Sequence, residues 1–169
     1  VVFDWHDDFA AFPWAPSTGR ELERRTLACA HLFTSGTRFL AETKRAQCGE
    51  IAFLPNGVRF EAFAAAGLTR PPDLPADFEH LAVLVGTIGH HLDVPLIEEV
   101  ARRLPRVGFI LIGPLRMERP PAGPNIVLLG QRAHSELPAY LRHAHAGLIP
   151  YRTGPGAEAI NPTKLLEYA

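Results

Sequence analysis

Cysteine, net charge and long apolar runs are what this sequence has least of. Cys29 and Cys48 are its two cysteines, and neither stands in a CxxC spacing or beside a Cys/His ligand set. A disulfide-built scaffold and a structural zinc site are therefore excluded as organising features. Both cysteines fall in stretches that read as helical and are expected to be small buried hydrophobes. Lys and Arg number 17 against 18 Asp and Glu, a formal net charge of −1, so no global field recruits nucleic acid or an anionic membrane. The apolar runs, such as LAVLV at 81–85, fall far short of the roughly 18 residues a membrane helix needs. Collagen-like and coiled-coil periodicities are missing too.

What remains is ordinary globular composition, 47% apolar and 21% charged over 169 residues, enough for one domain or a small domain with an arm. The 14 glycines and 16 prolines imply many tight turns. The chain opens at Val1 inside an apolar run and stops at Ala169 partway through a patterned helix. It is therefore expected to be a piece of a longer protein, with no signal or targeting segment in view.

The pattern along the chain is α/β. An opening strand leads to an acidic corner, Asp4, His6, Asp7 and Asp8, and a loop through Pro13 and Pro16. Thr18 and Glu21 have capping-box spacing, which predicts a helix over about 19–30. HLFTS at 31–35 reads as a strand, Ser35 as the N-cap of a helix over 38–47, and 51–54 as a further strand closed by Pro55-Asn56-Gly57. The Ala/Pro/Gly-rich stretch near 64–77 suits a linker. Apolar strands follow at 81–86, 109–112, 126–129 and 146–149. Between them lie a helix carrying Val94, Ile97, Val100, Ala101 and Leu104, and one capped by Ser135 that carries Leu137, Leu141 and Ala144. Asn161-Pro162 has the arrangement of an N-cap followed by proline at the first helical position. The expected fold is thus a Rossmann-like, doubly wound parallel sheet. In such sheets ligands sit beyond the carboxyl ends of the strands, here the loops 86–93, 113–124, 130–134 and 150–161.

Four features offer chemistry. Gly86-Thr87-Ile88-Gly89 follows a strand and lets backbone approach a phosphate or ribose, although it lacks GxGxxG and Walker spacing and also reads as a plain strand–helix turn. In 161–167, Asn161 and Pro162 start a helix whose free amides favour an anion, and Thr163 and Lys164 add a hydroxyl and a cation. Glu167, four residues after Thr163, adds a carboxylate for ribose hydroxyls. The plain alternative is a capped helix with solvated Lys164 and Glu167. His6, Asp7 and Asp8 offer an acid/base pair beside Trp5, or a capped turn with exposed carboxylates. His90-His91 with Asp93 has no third or fourth ligand in reach, so a metal is not expected. Tyr151-Arg152 precedes a Gly-Pro-Gly turn that is a substrate loop or an ordinary surface loop.

Taken together and in order, these residues resemble a bacterial family 4 (group 1) glycosyltransferase of the GT-B type. The resemblance runs through VFDWHDD at 2–8, Ser35 after a strand, LPNGVRFEAF at 54–63, VGTIGHHLD at 85–93, FILIGP at 109–114, NIVLLGQR at 125–132 and AINPTKLLEYA at 159–169. It implies two Rossmann-like domains facing across a cleft, with residues 1–63 ending the acceptor-side domain, 64–78 as linker and 79–169 forming most of the donor-side domain. The donor ribose would be held by Glu167. The diphosphate would lie at Asn161, Pro162 and Thr163, with Lys164 beside them and the turn Gly86, Thr87, Gly89 nearby. Backbone of Gly130, Gln131 and Arg132 would cradle the base, and Tyr151 is counted on the donor side. His6, Asp7 or Asp8 would supply a base.

Two departures stand out. The Arg and the Lys-Gly that many family members carry after the first donor-side strand are replaced by GHHLD, which leaves the diphosphate to Lys164, Arg152 or helix amides. Ala159 also breaks the common Glu-x7-Glu pattern, although Glu158 is adjacent. The implied function is sugar transfer from a nucleoside-diphosphate sugar to a sugar or lipid-linked acceptor hydroxyl in cell-surface polysaccharide or glycolipid synthesis. Neither metal nor cofactor is expected. The implied place is the cytoplasm, with peripheral membrane association at its inner face left open and nucleic acid not a partner. The alternatives are a non-catalytic nucleotide-binding module and a GT-B nucleotide-sugar epimerase.

Overall fold

The structure, a computed structural model, describes residues 1–12, 15–154 and 157–169. Pro13 of the opening loop, Pro155 and Gly156 of the Gly-Pro-Gly turn, and the side chain of Glu158 lie outside the described residues. The chain divides into two compact units. One is Val1–Gly57 with Thr153–Thr163, the other Val58–Arg152 with Lys164–Ala169.

In the first unit the order is β1 (Val2–Trp5), α1 (Gly19–Leu27), β2 (Leu32–Ser35), α2 (Arg38–Cys48) and β3 (Ala52–Phe53). The strands pair in parallel as β1-β2-β3, with Val2 opposite Leu32 and Thr34 opposite Ala52. Trp5, Leu40, Ala41 and Ile51 form the core, joined by Ala159 from the returning segment. Each fully buried large apolar side chain contributes about 1.5–3 kcal/mol relative to exposure. The cap of α2 is Thr37, whose hydroxyl accepts from Leu40 N at 3.0 Å, and not Ser35. Ser35 is fully buried and turns its hydroxyl onto the Thr37 backbone instead. Cys29 is exposed and lies beyond the end of α1, and Cys48, the last residue of α2, is only partly buried. The expectation of two buried helical cysteines is thereby corrected: α1 ends at Leu27, three residues early, and Cys29 falls in the turn.

In the second unit the order is α3 (Phe60–Phe63), β4 (His80–Val85), β5 (Ile88–Gly89), α4 (Val94–Arg103), β6 (Val107–Ile112), β7 (Leu115–Arg116), β8 (Ile126–Gly130), α5 (Leu137–Arg142), β9 (Ala146–Gly147) and α6 (Lys164–Tyr168). Strands β8-β6-β4-β9 form one all-parallel sheet. Alternate residues of β4 and β6 face opposite sides. Leu81, Val83, Val85, Ile110 and Ile112 pack with Leu137 and Tyr140 of α5. Ala82, Leu84, Phe109 and Leu111 pack with Ile97 and Ala101 of α4. Burial of both faces is why these strands read as unbroken apolar runs. Asp93 caps α4 by accepting from Leu96 N at 3.1 Å. A short parallel pair, β5-β7, straps the 86–93 loop, where the sequence suggested open loop. The stretch expected as a linker is packed onto this unit: Leu74 is in the core, and Asp73 binds Arg132 and Tyr140.

Candidate functional site

Glycines with positive φ follow β4 and β6 and close β8: Gly86 (127°), Gly113 (149°) and Gly130 (73°). Gly86 N donates to Ile112 O and Gly113 N donates to Gly130 O, each at 2.9 Å, so the strand ends are laced together by backbone. A methyl group on Gly113 would overlap the Gly86 carbonyl oxygen. The rim of the sheet is therefore bare backbone: the positive φ of all three glycines disfavours a side chain, and at Gly113 none fits.

Lys164, the first residue of α6, reaches over this rim. Its Nζ would stand 2.6 Å from a methyl group placed on Gly86, and it lies 5.1 Å from the centroid of the Tyr151 ring. Among the described residues no carboxylate pairs with it. His91 meets the same tyrosine edge-to-face at 5.0 Å. Burial first, then the nearby Lys164 charge, hold its imidazole below the ordinary histidine value, which favours the neutral ring. The ammonium is thus partly desolvated, flanked by an aromatic face and a neutral ring, and not neutralised. Such a group favours an anion.

Glu167 lies on the same short helix. Its side chain is 13% exposed, and its Oε1 is 2.9 Å from His134 Nε2. Tyr168 fixes the helix to the sheet. Its hydroxyl accepts from Val85 N at 2.9 Å, and its ring lies so close on Gly147 that a side chain there would overlap it. Burial pushes the Tyr168 phenol up to about 12.

The other expected site residues divide between roles. The Arg132 guanidinium is already engaged by Asp73, by the Tyr140 hydroxyl at 3.0 Å and by Gln131 O at 2.9 Å. Of Gly130, Gln131 and Arg132, the arginine side chain is thus already committed, which leaves their backbone and the exposed Gln131 side chain. Burial tends to raise the Asp73 carboxyl, but hydrogen bonds from Arg132 and Tyr140 bring it below the usual range. Thr87 precedes β5 and Gly89 lies within it. Arg152 is held by Leu92 O at 3.1 Å and, with His90, Arg116 and Glu98, lines a groove of about 720 Å³. His90 and His91 therefore face different surroundings, as neighbouring side chains in a strapped turn must.

Asn161, Pro162 and Thr163 are assigned to the first unit, and Lys164 and Glu167 to the second. The sequence expectation that Asn161 caps the helix and Pro162 opens it is corrected. The Asn161 side chain donates to Gly36 O at 2.9 Å, its carbonyl accepts from Asn56 at 2.8 Å, and α6 begins only at Lys164. A five-residue helix has a small dipole, so the Lys164 ammonium outweighs the helix amides as the source of positive potential.

In the first unit, Asp8 accepts from Lys44 at 3.0 Å and is part of a buried ion cluster. Asp4 accepts from Thr34 at 2.7 Å. Asp7 has no such engagement among the described residues: burial raises its carboxyl and the charge of His6 opposes that. His134 was missed as a site residue, because nothing in its local sequence announces a partner 33 positions away.

No family model matches the chain. It is 26% identical to a Bacillus subtilis (strain 168) protein named as a teichuronic acid biosynthesis glycosyltransferase, TuaH, over 99% of this chain and 47% of TuaH. The crystal structure of Anabaena HepE in complex with UDP and glucose superposes with a TM-score of 0.62 at 18% identity, covering 86% of this chain and 45% of HepE. The chain spans about half the length of the curated relative it matches. It is accordingly related to glycosyltransferases and carries, over part of a GT-B enzyme's length, the same α/β fold of parallel sheets.

Proposed function

We propose that the chain contributes the donor-binding region of an enzyme that transfers a sugar from a nucleoside-diphosphate sugar to an acceptor hydroxyl. The observation that carries this reading is Lys164, a cation with no carboxylate partner among the described residues, set over a rim of bare glycine backbone with Glu167 on the same helix. Lys164 would meet the diphosphate. Its charge stabilises the negative charge that grows on the leaving β-phosphate oxygen as the bond to the anomeric carbon breaks. Glu167 would accept from the ribose hydroxyls, and backbone at Gly130 and Gln131 would line the base. Asp7 is the best-placed base of the acidic corner, because Asp8 is already bound to Lys44. Its raised pKa suits proton uptake from an acceptor hydroxyl. The names of the relatives, one in teichuronic acid biosynthesis and one crystallised with UDP and glucose, favour a polysaccharide acceptor and make UDP the first nucleotide to try.

Calorimetric titration with UDP, GDP, dTDP and ADP tests the reading. One diphosphate is expected to bind, with affinity about tenfold or more lower in Glu167→Ala. Silence with all four would overturn it.

A further inference from the structure

We infer that His134 is the positioning residue for Glu167, and that the pair makes the site selective for ribo- over 2′-deoxyribonucleotides. The inference rests on the donor-site reading and adds to it the chemistry of the sugar hydroxyls.

A carboxylate on a five-residue helix has several rotamers open to it, and a ribose can use only one. Here Glu167 Oε1 is taken by His134 Nε2 at 2.9 Å, while no partner is found for Oε2 among the described residues. One oxygen is thus tethered and the other is left as an acceptor. The tether is itself fixed from three sides. Glu136 turns back to accept from Ala133 N at 2.7 Å, which closes the one-turn 3-10 helix His134–Glu136. That turn runs directly into α5, whose Leu137 and Tyr140 lie in the core. The Phe63 ring of α3 meets the imidazole edge-to-face at 5.6 Å. His134 itself is 65% exposed, so the fold gains little by burying it, and the contact gives Glu167 direction more than it gives the chain stability. The imidazole donates from Nε2 to the carboxylate in either its neutral Nε2–H form or its charged form. A hydrogen bond from a ribose hydroxyl to an oriented carboxylate is charge-assisted, and losing it is expected to cost about tenfold or more in affinity.

The test uses matched pairs, UDP with dUDP, GDP with dGDP and ADP with dADP, titrated calorimetrically into the wild-type chain and three variants. The ribo form is expected to bind about tenfold more tightly than the deoxy form in the wild type. Glu167→Gln and His134→Ala should bring the two forms level, the ribo form falling about tenfold and the deoxy form, which keeps only its 3′-hydroxyl, falling less, while the diphosphate contact to Lys164 keeps binding of both measurable. His134→Gln keeps an N–H in reach of Glu167 and should restore much of the preference; circular dichroism confirms that each variant is folded. A ribo preference that survives in His134→Ala but vanishes in Glu167→Gln overturns the positioning role and leaves the donor site standing. Equal binding of ribo and deoxy forms by the wild type also overturns the inference. Binding of none of the six overturns the donor-site reading together with it.

Discussion

Lys44 in the first unit and Lys164 in the second have much in common on paper. Each ammonium lies near an aromatic face, 5.9 Å from the Trp5 ring for Lys44 and 5.1 Å from the Tyr151 ring for Lys164. They differ in what else surrounds them. The Lys44 side chain is 7% exposed and is bound by Asp8 at 3.0 Å and Glu23 at 3.1 Å, with the Trp5 indole N–H also directed at Glu23. Lys164 is half-buried, has no carboxylate partner among the described residues and faces glycine backbone. A buried cation whose charge is met inside the fold holds that fold together. A partly desolvated one whose charge is not met is available for an anionic ligand. The same contrast separates Asp8, committed to Lys44, from Asp7, and Arg132, committed to Asp73, from Arg152.

The comparison breaks most visibly at Lys44. Lys44→Met removes the cation and leaves Asp8 and Glu23 facing each other in a partly buried site, so unfolding free energy should fall by about 3 kcal/mol, read from urea denaturation. Lys164→Ala should do the reverse. Stability should change by no more than about 0.5–1 kcal/mol, the value of an exposed cation–π contact. Nucleoside-diphosphate affinity should fall about tenfold to a hundredfold. A large loss of stability in Lys164→Ala with unchanged affinity would dissolve the contrast.

Asp7 sharpens it on a smaller scale. Burial raises its carboxyl above 3.8, so the folded state holds that proton more tightly than the unfolded state does. The stability this group contributes is fully present below the unfolded value and is lost as pH rises through the raised one. Asp7→Asn should therefore be as stable as the wild type at neutral pH or more so, by about half a kcal/mol or less. The wild type's loss between acid and neutral pH should be correspondingly smaller in the variant. Urea titrations of both proteins across that range check the sign. If Asp7 is the base, the same variant abolishes transfer while leaving donor binding intact.

The smallest effect is the cleanest reporter. The Lys164 charge contributes to holding His91 low, second to burial. Lys164→Ala should therefore move the His91 pKa upward, and a diphosphate bound at Lys164 should move it the same way. Both shifts can be followed by NMR of the imidazole protons. A downward shift on ligand addition would place the anion elsewhere.

The central strands were legible because β4 and β6 are covered on both faces and so read as continuous apolar runs. The helix face of Val94, Ile97 and Ala101 was legible from its spacing. The pair β5-β7 was not, since two-residue strands leave no period to detect. The start of α6 was misread because Asn161 satisfies its amide at Gly36, 125 positions away, and a local capping signal cannot show that competition. In the site, Lys164, Glu167 and Gly86 were visible as a basic, an acidic and a glycine residue after strands. Gly113 was visible only as the end of a strand, and its need to remain glycine comes from the Gly86 carbonyl against it. His134 carried no local signal at all, because its role depends on a loop and a terminal helix meeting.

The most direct measurement is titration of UDP, with GDP, ADP and dTDP in parallel, into the wild-type chain and Lys164→Ala, each with a thermal melt. The expected result is saturable binding of one diphosphate by the wild type, at least tenfold weaker binding by the variant, and nearly coincident melts. Equal affinity in the two proteins would contradict the claim that the unshared charge of Lys164 is the diphosphate site.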